Sequence, residues 1–175
     1  MMRARTVLVG LAALTAACGG KTSTTPSTTS PNTVIFTAAL SPANEVPPIT
    51  APNADATGSG TATITLNLTK DSAGTITAAT VTFQVNLTGF PTNTNITAAH
   101  IHEGAATCAC PVRVNTTMAN GELVLGNGTG GFTKAAIATT ADVAQGMINN
   151  PAGYYFNVHT TLNGGGAVRG TLVKQ

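Results

Sequence analysis

The chain has 175 residues, 42% of them hydrophobic and only 8% charged, with nineteen glycines and nine prolines; an ordinary soluble domain carries about 25% charged residues. A highly charged disordered protein is therefore excluded, and the length suits one core-bearing domain with appendages. The formal charge of +2 comes from Arg3 and Arg5, because from residue 18 onward six Lys and Arg face six Asp and Glu, which leaves no basic footprint for nucleic acid.

The first twenty residues set Arg3 and Arg5 before an apolar run from Val7 to Leu14, then small residues ending in Cys18. The run is too short for a membrane span, which needs about 20 apolar residues, and reads as a secretion signal over residues 1–17. The stretch L-T-A-A-C resembles a bacterial lipobox with Cys18 as the acylated residue, although Thr15 stands where Leu is usual. Plain cleavage near Ala17 is the alternative and would release the protein. Residues 18–32 are nearly all Thr, Ser, Pro and Gly, a composition that cannot bury enough apolar surface to order itself. They read as a tether, holding a domain of residues 33–175 off an outward-facing membrane surface in the cell envelope. Five Asn-x-Thr triplets, at Asn67, Asn86, Asn95, Asn115 and Asn127, are read as chance in so threonine-rich a chain.

Within the domain, alternation of period two dominates. Strands are predicted at Val34 to Leu40, at 61–68 with Ala62, Ile64, Leu66 and Leu68 on one face, and at 75–87 with Val81, Phe83, Val85 and Leu87 on one face. A phase slip at Ala78 and Ala79 predicts a β-bulge. Further strands are expected at Thr97 to His102, Val112 to Asn115, Glu122 to Leu125, Gly131 to Thr139, Tyr154 to Thr160 and Ala167 to Val173. One short connecting helix is expected between 139 and 153, with Thr139 or Thr140 as N-cap and Pro151 closing it. The Gly164 to Gly166 run reads as a hairpin turn. Together these predict an all-β protein, an antiparallel Greek-key sandwich or barrel of immunoglobulin-like or superoxide dismutase-like type.

The three histidines are the most informative residues. His100 and His102, two apart in one strand, project from one face, with Ile101 on the other. In the later strand Tyr155, Asn157 and His159 share a face opposite Tyr154, Phe156 and Val158. A single strand histidine ordinarily hydrogen-bonds a loop or stacks on a tyrosine, but three in two strand motifs form a candidate metal set. With no carboxylate or thiolate nearby, a T-shaped or trigonal imidazole set favours copper. Cys108 and Cys110 could form a disulfide across one residue, a soft metal site, or a bond to another chain. No nucleophile elbow, P-loop, dinucleotide fingerprint or H-E-x-x-H occurs, so hydrolytic and nucleotide chemistry are unsupported. The six acidic residues are dispersed and read as solvated turn residues.

The segments FTAALSPANEVPP at 36–48, AAHIHEGAA at 98–106 and GYYFNVHTTLNGGGAVRGTL at 153–172, in this order, resemble the CHRD domain, first described in chordin. Where that family has a Gly-rich stretch after H-I-H-x-G, this chain carries Thr107 to Pro111 with its C-A-C pair. The resemblance implies an extracytoplasmic all-β domain and attaches no activity to it. A weaker resemblance is to the copper half-site of Cu/Zn superoxide dismutase: His100, His102 and His159 match copper ligands, and Arg169 matches the arginine that attracts superoxide. No fourth histidine matches the ligand that bridges copper to zinc. Against that role, Arg169 reads equally as a residue capping the sheet through Glu103 or backbone carbonyls. The resulting expectation is a lipid-anchored binding or surface module with a protein or glycan partner and a three-histidine copper site. The alternatives are a copper redox enzyme acting on superoxide and a purely structural envelope protein.

Overall fold

In the strands, β-branched and small apolar residues alternate with threonines, so each strand offers one apolar and one polar face, and pairing two such sheets buries both apolar faces. The computed structural model describes residues 32–104 and 108–175. The expected signal peptide, Cys18 and all of the expected tether before Asn32 lie outside the described residues. Ten strands form two antiparallel sheets: β1 (Thr33–Leu40), β2 (Ser59–Lys70), β3 (Ile76–Thr88), β4 (Thr94–Glu103), β5 (Val112–Asn115), β6 (Leu123–Leu125), β7 (Gly130–Thr139), β8 (Tyr154–Thr160), β9 (Val168–Thr171) and β10 (Val173–Lys174). The first sheet runs in the order β10-β1-β2-β3-β7 and the second β5-β4-β8-β9, with β6 also on β4. Strands β5 and β6 share one edge of β4, opposite His100–His102 and Thr94–Ile96 respectively, because β8 takes the other edge.

The sheets make a sandwich and do not close into a barrel. At one margin they meet through a single bridge, where Ser41, just past β1, pairs with Arg169 of β9. The core lies between the inner faces, with Phe36, Ile64, Leu66, Phe83 and Leu87 from one sheet and Ile96, Ile101, Phe156 and Val158 from the other, all buried. Phe83 and Phe156 stack across it with ring centroids 5.5 Å apart. The helix α1 (Ala141–Asn149) has Thr140 at its N-cap and buries Val143, Ala144 and Met147. No helix among the described residues is long and apolar enough to cross a membrane.

The expected bulge exists but lies one residue earlier. Thr69 pairs with Ala78 and Lys70 with Ile76, which leaves Thr77 as the extra residue. The expected last strand is two short ones, because Leu172 turns inward, fully buried, and its N–H bonds Tyr154 O at 3.0 Å. The expectation of solvated acidic residues fails for two of the six: Glu45 is 3% exposed and Asp55 1%. Each has partners that only the tertiary fold supplies. Thr160 Oγ1 and Asn163 Nδ2 both donate to Asp55 Oδ2, at 2.6 Å each, which fixes the chain where β8 leaves the sheet.

Candidate metal centre

Strands β4 and β8 lie side by side in the middle of the second sheet, with His100 opposite Asn157, His102 opposite Tyr155 and Ala98 opposite His159. Ile101, Phe156 and Val158 enter the core, so alternation sends His100, His102, Tyr155, Asn157 and His159 to the outer face. That face is also largely covered. Tyr155, Asn157, His102 and His159 are 1%, 2%, 8% and 8% exposed, and His100 is half-buried.

The three histidines converge. One ligand nitrogen from each lies within 4.8 Å of the others, and His100 Nδ1 stands 3.1 Å from His159 Nε2. Backbone carbonyls set the tautomers of the two buried rings, since a carbonyl oxygen only accepts. His102 Nδ1–H donates to Cys110 O at 2.5 Å and His159 Nδ1–H to Gly164 O at 3.0 Å. Each ring then carries its lone pair on Nε2, turned toward the cluster. His102 Nε2 is buried with no hydrogen-bond partner. Metal-ligating histidines characteristically donate the other ring N–H to such a carbonyl.

Electrostatics favour the neutral form of His100 and His159. Burial, with repulsion from His159 and His102, depresses the His100 pKa to about 4. Burial also lowers that of His159, against the opposing Gly164 hydrogen bond. Neutral imidazoles are the form that binds a metal.

Around this cluster sits a second buried layer. The His102 ring stacks on Tyr155 with centroids 4.8 Å apart and planes 3° from parallel, and the Arg169 guanidinium lies 4.4 Å from the centroid of the same Tyr155 ring. Arg169 is not free to draw in an anion: it is 2% exposed, its Nε donates to Glu45 Oε2 at 2.7 Å, and its Nη1 donates to Cys108 O at 2.9 Å. In a domain of few charges, the buried Glu45 carboxylate claims it. Burial pushes the Glu45 pKa above its ordinary value, while Arg169 pulls it back. Glu103 pairs instead with Arg113 at 2.6 Å. Cys108 and Cys110 are joined by a disulfide with Cα atoms 5.2 Å apart. Both sulfurs rest on Gly104, where any Cβ would strike them. Tyr155 Oη donates to Cys108 O and accepts from Cys110 N–H, at 3.2 Å each.

The sequence segments around Glu45, His100 and His102, His159, and Arg169 thus meet in one layer, and the CHRD domain profile matches residues 36–172, nearly the whole described chain. The chain belongs to the CHRD domain family. No curated protein and no solved structure matches it. The histidine set of this CHRD domain was readable in its sequence. Its supports were not: Glu45 comes from a loop 124 residues before its partner, and Tyr155 and Asn157 carried no signal beyond their place in the alternation.

Proposed function

We propose that this CHRD domain is a lipid-anchored, extracytoplasmic binding module that holds a copper ion through His100, His102 and His159. The observation that carries this reading is the convergence of three imidazole nitrogens within 4.8 Å, one of them buried and without a partner. Two ligands on opposite sides of an ion with bonds of about 2.05 Å stand about 4.1 Å apart, so a movement of well under 1 Å closes the set. Three imidazoles without thiolate or carboxylate suit copper. The signal sequence, Cys18 and the tether support the anchored, outward-facing placement. Arg169, neutralised by Glu45, serves structure in this reading and not attraction of superoxide.

Elemental analysis of the purified full-length protein, with and without added copper or zinc, tests the metal. About one copper per chain, lost in His100→Ala and His159→Ala, is the expected result; no copper in the wild type overturns the reading. Radiolabelled fatty acid fed to expressing cells should label the wild type and not Cys18→Ala.

A further inference from the structure

The side chain of Asn157 lies inside the histidine cluster, 2% exposed and opposite His100 in the strand register. Its Oδ1 is 3.1 Å from His159 Nε2, the nitrogen that His100 Nδ1 also approaches at 3.1 Å. The protons on His159 make this contact informative. Its Nδ1–H is already donated to Gly164 O, so Nε2 of the neutral ring has a lone pair and no hydrogen. An amide oxygen likewise offers only lone pairs. Two acceptors facing each other inside a buried layer are unfavourable unless a cation lies between them or the amide turns to present its N–H.

The spacing fits such a cation. With bonds of about 2.05 Å, two ligand atoms 3.1 Å apart subtend about 98° at the ion, close to the angle between neighbouring corners of a square-planar or tetragonal copper site. Both contacts of His159 Nε2 have this spacing, so nitrogen from His100, nitrogen from His159 and oxygen from Asn157 describe adjoining corners. We propose that Asn157 supplies a fourth ligand to the ion, through its amide oxygen. The inference rests on the copper reading above. It changes the site from three imidazoles to three imidazoles and one neutral oxygen, with the net charge of the ion left uncompensated by the ligands.

The test compares wild type, Asn157→Leu and Asn157→Asp as full-length proteins, with Cu(II) affinity measured against a competing chelator and the bound ion observed by electron paramagnetic resonance. Asn157→Leu should weaken copper about tenfold or more and alter the copper hyperfine splitting, in line with the loss seen when metal-site residues are removed. Asn157→Asp keeps an oxygen at the same position and adds charge. It should bind copper at least as tightly as wild type and take up zinc more readily. If the amide instead faces the other way and only donates N–H to His159, aspartate adds an oxygen ligand that the wild type lacks, and the copper hyperfine splitting of Asn157→Asp will depart from that of wild type, whereas an amide ligand predicts the same three-nitrogen, one-oxygen signature in both; a departure overturns the inference. Wild-type affinity and spectrum in Asn157→Leu overturn it too, while leaving the three-histidine site standing. A wild type that takes up no copper sinks the underlying reading and this one with it. Thermal unfolding of each metal-free variant shows whether it is folded, and if Asn157→Leu is not, Asn157→Asp decides.

Discussion

Removing Arg169 should cost this domain far more than removing its charge partner along with it. Arg169 and Glu45 are joined at 2.7 Å with both side chains 3% exposed, so Arg169→Met leaves a carboxylate buried without a counter-charge, an outcome worth about 3–5 kcal/mol. The methionine also gives up the hydrogen bond to Cys108 O and the face of Tyr155, each worth about 1 kcal/mol. The paired change Glu45→Leu with Arg169→Met removes both charges and should recover most of the first term, leaving a net loss of about 2 kcal/mol. Urea unfolding of the two single variants and the double variant closes a thermodynamic cycle. The pH dependence adds a second constraint. Glu45 already has a raised pKa, so the folded state binds its proton more strongly than the unfolded chain does; the stability tied to it is present at low pH and lost as pH rises through the folded value. Without Arg169 that pKa rises further, and Arg169→Met should grow less stable as pH rises above the ordinary carboxylate range, relative to the double variant. A single Arg169→Met loss below about 1 kcal/mol, or additive losses around the cycle, would refute the claim that Arg169 and Glu45 are coupled as a buried ion pair.

Three further outcomes follow from the geometry. The folded pKa of His100, about 4 against 6.5 unfolded, makes the unfolded chain bind more protons between those values, so metal-free protein should lose stability as pH falls from 6.5 to 4, by about 1 kcal/mol after screening at this half-buried site, and His100→Gln should flatten that slope in pH-dependent urea titrations. Cys108→Ser with Cys110→Ser frees the carbonyl that orients His102, and copper affinity measured by chelator competition should fall about tenfold. Phe83→Ala opens the stacked pair with Phe156 in a fully buried position and should cost about 3–5 kcal/mol in urea unfolding, with copper stoichiometry kept at moderate temperature.

Period two made much of this fold legible. The faces of β2, β3, β4 and β8 follow from alternation alone, and with them the clustering of His100, His102 and His159, since adjacent antiparallel strands bring like faces together. What alternation does not encode is which loop covers an outer face. Glu45 and Asp55 look like turn residues because their neighbours are polar and proline-rich, and only contacts with Arg169, Thr160 and Asn163, more than a hundred residues away, put them inside. The same holds for Arg169: its sequence position fits both a free charge and a structural one, and the presence of a buried carboxylate within 2.7 Å is a property of the fold. The Thr77 bulge was misplaced by one residue because threonine and alanine alternate there with little contrast in hydropathy.

Residues 156 and 158 of β8 hold the hydrophobic core, while 155, 157 and 159 build the polar layer on its other side. Stability and chemistry are thus written in alternate letters of one strand. A change at Asn157 or His159 alters the ion or ligand that the outer layer accepts while Phe156 and Val158 stay in the core between the sheets. Tyr155 belongs to both: it sits among the odd-numbered residues of the site, yet its ring and hydroxyl fasten His102, Arg169 and the Cys108–Cys110 loop to the sheet.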